Sequence, residues 1–219
     1  MCGRSNHAGL TWAELVGWMR GITPPSIEIA QRFNVPPTAD IPIIRRLDGG
    51  LVGDFARWGL IPSWHRGTLK DWMASTINAR IETVATAPSY RDGYRMARCI
   101  VPMSGYYEWK VEGGTKRPHY IHPSGNAPAL LAAGLWSSVV LPDFSGLTCT
   151  ILTEAARAPL DQVHDRMPVL LDQDGVDEWI DGRSVDLVPR LAMDGIAWQE
   201  IGKAIGSVRN EGPELIEPL

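Results

Sequence analysis

Between residues 42 and 201, short apolar runs return at intervals of 8–15 residues, and the gaps between them carry glycine, proline and turn-forming pairs. Runs this short, alternating or rich in β-branched and aromatic residues, read as strands rather than helices. Residues 42–46 and 51–58 flank Asp48-Gly49-Gly50, a hairpin signal. Residues 99–102, 105–111, 120–122, 129–135, 147–152, 166–171 and 198–201 complete the expected strands. The helices between them are short. Thr11 and Glu14 form a capping box ahead of Leu15, Val16, Trp18 and Met19, which predicts a helix from Trp12 to about Arg20. Residues 26–32 read as one or two helical turns, 89–96 as a helix capped by Ser89, 155–160 as a helical turn, and 174–180 and 184–191 as short helices. Residues 65–75 read as loop, and 77–82 resist assignment by periodicity. The pattern predicts an α+β fold: a single domain over residues 1–219 on a mainly antiparallel, barrel-like sheet with short helices.

The bulk numbers bound the function. A chain of 219 residues fits one large domain or two small ones, and no linker, repeat or low-complexity stretch divides it. No apolar run is long enough to predict a membrane span. No charged-then-apolar leader opens the chain. The three cysteines, Cys2, Cys99 and Cys149, have no CxxC or Cys/His metal spacing, so no metal or other cofactor is expected. An odd count without a leader fits a reducing cytoplasm, with one reactive thiol and two buried ones. The net charge of −4 argues against a general nucleic-acid binder, but its distribution is uneven. Nine bases face five acids between Arg45 and Arg98, whereas fifteen acids face six bases from Asp143 onward. A basic middle beside an acidic C-terminal third can make one face attractive to phosphates. Mixed, solvated surfaces are the plain alternative.

Five positions carry potential chemistry. Met1 precedes a small residue, so its removal would leave Cys2 as the N-terminus, with a thiol and an α-amine on adjacent carbons. With unperturbed pKa values of about 8.5 and 7.7–8.0, both are partly reactive at neutral pH. Together they can condense with an aldehyde, the amine forming an imine and the thiolate closing a five-membered thiazolidine. A frayed terminus is the plain alternative. Glu108 sits between Tyr107 and Trp109 in an apolar strand, with those two aromatics on one face and Glu108 on the other. Desolvation there would raise its pKa into general acid–base range; a solvent-facing edge glutamate is the alternative. His164, just before a strand, reads as a catalytic or a structural histidine. Asn78 and Arg80 flank Ala79 and could grip a sugar–phosphate or cap a turn.

Taken in order, Met1-Cys2-Gly3-Arg4, the run from Trp58 to Trp64, Asn78-Ala79-Arg80-Ile81-Glu82, Gly105-Tyr106-Tyr107-Glu108-Trp109, Ala133-Gly134-Leu135-Trp136, His164-Asp165-Arg166-Met167-Pro168 and Arg209 to Ile216 resemble the SRAP family of SOS-response-associated peptidases, or abasic-site processing proteins. The resemblance runs from Cys2 almost to the C-terminus. It implies a distorted β-barrel and binding to single-stranded DNA at abasic sites, including sites near single-strand/double-strand junctions. It also implies a covalent thiazolidine cross-link made by a monomer. Carried over by motif, Cys2 is the nucleophile, Asn78 and Glu108 position and protonate the opened sugar, and His164 assists. Arg4 and Arg80 are the implied phosphate contacts, with Thr153 near them, and Trp64 and Trp109 are the aromatic DNA contacts. Ser5 departs from a frequent aromatic, His65 from a second tryptophan, and residues 66–76 look longer than in some relatives; these affect the stacking surface. A hydrolytic N-terminal-nucleophile enzyme and a non-covalent reader of modified bases are the rival readings.

Overall fold

A computed structural model describes residues 2–19 and 21–219. In chain order its elements are β1 (Ser5–Asn6), α1 (Trp12–Trp18), β2 (Ile22–Thr23), β3 (Asp40–Leu47), β4 (Gly50–Trp58), β5 (Asn78–Arg80), α2 (Arg91–Met96), β6 (Arg98–Met103), β7 (Gly105–Glu112), β8 (Thr115–Pro123), β9 (Leu130–Val140), β10 (Ser145–Ala155), β11 (Arg166–Pro168), α3 (Gln173–Ile180) and β12 (Ile196–Glu200). The β3–β4 hairpin turns through Asp48 and Gly49, both at positive φ, the backbone that a two-residue turn of matching twist requires.

Five strands close on themselves. The order β10-β9-β6-β3-β4 is antiparallel throughout, and β4 returns to β10 in parallel through Arg57–Thr148 and Trp58–Cys149. Alternation along each strand sends one set of side chains into the barrel, including Ile41, Ile43, Ala56, Trp58, Val101 and Ile151. Trp58 is fully buried there, and its Nε1 donates to the Ile77 carbonyl at 2.9 Å. Gly134 is required by the close packing of this interior: a Cβ would lie 2.9 Å from the Thr150 carbonyl oxygen and 3.0 Å from Cys99 Sγ. The outward set, with Ile100, Leu131, Ala133 and Leu152, packs under Trp12 and Leu15 of α1 and Val176 and Trp179 of α3. A second sheet, ordered β1-β7-β8-β12, abuts the barrel and carries Glu108. Among the described residues no helix is long and apolar enough to cross a membrane.

The expected α+β barrel and most strands are present; several expected helices are not. The Thr11 capping box forms with both reciprocal bonds, and the helix runs Trp12–Trp18; its expected end, Arg20, lies outside the described residues. Residues 26–32 are not helical, because side-chain and backbone bonds to the N-terminal arm hold them extended: Gln31 bonds to the Leu10 carbonyl and the Gly9 N–H, and His7 N–H donates to the Arg32 carbonyl. Residues 155–160 are not a helical turn, since β10 continues to Ala155 to pair with β11; a single 3-10 turn follows at Leu160–Gln162. Residues 184–191 form only one 3-10 turn, Val185–Leu187, and Arg190 occupies the Val185 and Val188 carbonyls with its guanidinium. The helix expected to be capped by Ser89 starts instead at Arg91, with Tyr90 at the N-cap.

Candidate active site

The N-terminal arm is built into the fold rather than frayed. Ser5 and Asn6 pair with Tyr106 and Gly105, and the Tyr107 N–H donates to the Arg4 carbonyl at 3.0 Å. On the other side Ser5 and Val35 exchange backbone bonds of 3.1 and 2.8 Å. These contacts carry Cys2 into the interior, where it has no exposed surface. Its carbonyl accepts from Asn78 Nδ2 at 2.6 Å. Burial pushes the Cys2 thiol far above its ordinary value, and the charge of Glu108 pushes the same way. This direction favours the protonated thiol at neutral pH, in contrast to the partial ionisation of an unperturbed cysteine. Met1, whose removal the amine chemistry requires, lies outside the described residues.

Strand β7 carries Glu108. Tyr107 and Trp109 point to one side, against Tyr120, Ile201, Ile205 and Leu215, while Tyr106 and Glu108 point to the side that holds Cys2. Glu108 is only 4% exposed, so the solvent-facing alternative is excluded. Burial raises its carboxyl above the usual range, and the nearby His164 draws it partly back.

Asn78 and Arg80 share a face of β5, which lies parallel to Ile151–Thr153 of β10. Three residues are too few to show a period, which is why the sequence left this segment unassigned. Asn78 Oδ1 is buried without a hydrogen-bond partner among the described residues. Arg80 is exposed. On the other edge of β10, β11 begins at Arg166. The Arg166 N–H donates to His164 Nδ1 at 3.0 Å, while Asp165 Oδ1 lies 2.8 Å from the same nitrogen. One nitrogen cannot accept from the amide and donate to the carboxylate at once. Asp165 is 84% exposed and screened by water, so the backbone donor is the better-defined partner of Nδ1.

Glu108, Trp109 and His164 line an open pocket of about 500 Å³, with Gly206 and Lys116 also on its walls. The structure thus links Cys2 to Asn78 and Glu108, and Glu108 to His164, with Trp109 on the pocket wall. Trp64 lies apart: it is 47% exposed, stands edge-on to Trp72 at 5.6 Å and donates to the Pro88 carbonyl at 3.3 Å, and none of these residues lines the Glu108 pocket. Thr153 has no exposed surface; its hydroxyl faces the Ala79 carbonyl at 3.5 Å and accepts from Arg166 Nη2 at 3.3 Å, so in the free protein it cannot itself present to DNA. Arg4 turns Nη1 inward, to Asn34 Oδ1 and the Ile205 carbonyl. Arg166 lies inside the His164–Pro168 motif, but nothing in the sequence signals its role. Arg166 bonds Glu82 through both terminal nitrogens and the Thr153 carbonyl through Nη2 at 2.6 Å, tying β11 to β10 and to the segment after β5. Among the described residues no three of His, Cys, Asp and Glu cluster closely enough to hold a metal ion.

The family model for SOS response associated peptidase (SRAP) matches residues 1–208. The chain belongs to the SRAP family. Its curated relatives include the abasic site processing protein YoqW of Bacillus subtilis, 36% identical over 204 residues and covering 88% of each chain. The abasic site processing protein YedK of Escherichia coli is 30% identical over 86% of this chain and 85% of its own. A solved structure of a protein from Bacteroides thetaiotaomicron matches this SRAP fold with a TM-score of 0.84 at 24% identity, covering all of both chains.

Proposed function

We propose that this SRAP protein processes abasic sites in DNA by forming a covalent thiazolidine between Cys2 and the ring-opened sugar, so shielding the lesion. Cys2, held by Asn78 and set beside Glu108, which with His164 lines an open pocket, carries this reading. An abasic deoxyribose interconverts between a closed hemiacetal and an open aldehyde, and only the aldehyde reacts. Glu108, a carboxyl that holds its proton more tightly than usual, can protonate the ring oxygen as the ring opens. The amine freed by loss of Met1 then attacks the aldehyde carbon, and water leaves to give an imine. The thiol adds last: its sulfur bonds the imine carbon and its proton ends on nitrogen, closing the ring. This order follows from burial, because a thiol that keeps its proton is the weaker nucleophile until the imine stands beside it. Asn78 fixes the arm through the Cys2 carbonyl and offers Oδ1 as an acceptor for the amine or a sugar hydroxyl. Arg4 and Arg80 supply phosphate contacts and Trp64 a stacking face, which together suit a single-stranded partner, including one ending at a duplex junction.

The discriminating experiment compares a single-stranded oligonucleotide carrying a true abasic site with one carrying its tetrahydrofuran analogue, which cannot open. A heat-stable adduct with the first alone supports the proposal; no adduct with either, or equal adducts, refutes it. The peptidase reading uses the same Cys2, Glu108 and His164, and turnover of a peptide substrate at a rate matching the adduct reaction would favour it instead.

A further inference from the structure

Asn34 joins two segments that meet beside the pocket. It has no exposed surface and directly precedes Val35, the backbone partner of Ser5. Its Oδ1 accepts from Arg4 Nη1 at 2.5 Å, and its Nδ2 donates to the carbonyls of Ser207 and Asn210, each at 2.9 Å. These partners fix which way the amide faces: reversed, it would aim two N–H groups at a guanidinium and an oxygen at two carbonyls. The segment reached through Nδ2 is a wall of the pocket, since Gly206 lines it with Glu108 and His164. That wall is anchored further by Glu211, which takes the Arg32 guanidinium at 2.9 Å and the Phe33 N–H at 2.9 Å.

The consequence falls on Arg4. Its Nη1 is engaged inward by Asn34 and, at 3.2 Å, by the Ile205 carbonyl. The opposite edge of the guanidinium, Nε and Nη2, makes no hydrogen bond to any described residue, and Nε is buried in that state. With Nε closed off by burial, Nη2 is the guanidinium nitrogen left to face a phosphate. We propose that Asn34 is a positioning residue for DNA binding: it holds Arg4 with Nη2 available to a backbone phosphate and locks the 203–216 wall in register with it. The proposal rests on the reading that Arg4 contacts phosphate. An arginine already held at one nitrogen has less rotamer freedom to lose on gripping a ligand. The amide also explains itself against the isosteric acid. Aspartate would hold Arg4 through an ion pair, but it would cancel the charge that a phosphate needs and would lose both donors to the wall.

The test is the salt dependence of binding to an unmodified single-stranded oligonucleotide, measured for wild type, Arg4→Ala, Asn34→Ala and the double variant. Arg4→Ala is expected to lower the slope of log K against log salt by about 0.7, the value of one lost phosphate contact. Asn34→Ala, which removes no charge, is expected to lower the slope by most of that amount and to weaken binding about tenfold. The double variant is expected to be no worse than Arg4→Ala. An amide that served only stability would lower the melting temperature and leave the slope alone. A shallower slope in Arg4→Ala with a wild-type slope in Asn34→Ala overturns the proposal. An unchanged slope in Arg4→Ala overturns the phosphate reading beneath it. Should Asn34→Ala not fold, Asn34→Asp replaces it: its carboxylate should neutralise Arg4 and flatten the slope, and a wild-type slope there overturns the proposal equally.

Discussion

Replacing Glu108 by glutamine separates its acid–base role from its role in the strand. The substitution keeps the shape and removes only the ionisable proton. With Glu108 4% exposed, water has little access to take over its task. Adduct formation should therefore slow by ~10²–10⁴-fold, the usual contribution of a positioned acid–base group, while the final extent is still reached given time. The pH dependence should change too. In wild type the rate needs both a free α-amine, which pH rise supplies, and a protonated Glu108, which pH rise removes, giving a bell. The glutamine variant should keep only the rising limb. Stability should move the other way. A carboxyl held above its unfolded value is neutral in both states at low pH; as pH climbs through the unfolded value of about 4.3 toward the folded one, the unfolded state ionises more readily and the fold loses stability. Glu108→Gln removes that loss, so near neutral pH it should melt at or above wild type. Time courses of adduct formation from about pH 5 to 9, with melting curves beside them, check both. Overlapping time courses for the two proteins would mean that Glu108 is only a strand residue and that the acid lies elsewhere, with His164 the next candidate.

Cys2→Ala should lose the heat-stable adduct yet keep a transient imine through its terminal amine, visible only after borohydride trapping; an untrapped, heat-stable adduct equal to wild type would exclude Cys2 as the ring-forming residue. Arg80→Ala, exposed beside Asn78, should lower the salt slope of single-strand binding by about 0.7; an unchanged slope would remove Arg80 from the DNA path. Trp58→Ala, at the seam where β4 closes on β10, should cost ~3–5 kcal/mol and lower Tm by on the order of 10 °C, and a denaturation midpoint at the wild-type value would contradict the closed barrel.

The parts of the site that a local pattern encodes were legible in the sequence. Alternation in β7 alone assigns Glu108 and Tyr107 to opposite faces, and the folded strand keeps that assignment. The motif order placed Cys2, Asn78 and His164 with Glu108. What stayed hidden depends on contacts between distant segments. The β5–β10 and β4–β10 pairings are parallel and short, so no hairpin or period announces them. The failed helix at residues 26–32 has the same cause: its backbone is claimed by an arm about twenty residues upstream, which outweighs local propensity. Asn34 reads as one polar residue before two prolines until residues 205–210 arrive to occupy it. Desolvation of the Cys2 thiol is equally invisible in a chain terminus, where exposure is the ordinary expectation.

Intact mass reads the proposed bond between Cys2 and the sugar without an intermediary. Wild-type protein and Cys2→Ser are each incubated with a single-stranded oligonucleotide bearing one abasic site, then denatured and weighed. Wild type should give a species equal to the protein without Met1 plus the oligonucleotide, less one water, and Cys2→Ser no such species surviving denaturation. The same adduct on Cys2→Ser, or a wild-type adduct that retains Met1, would contradict it.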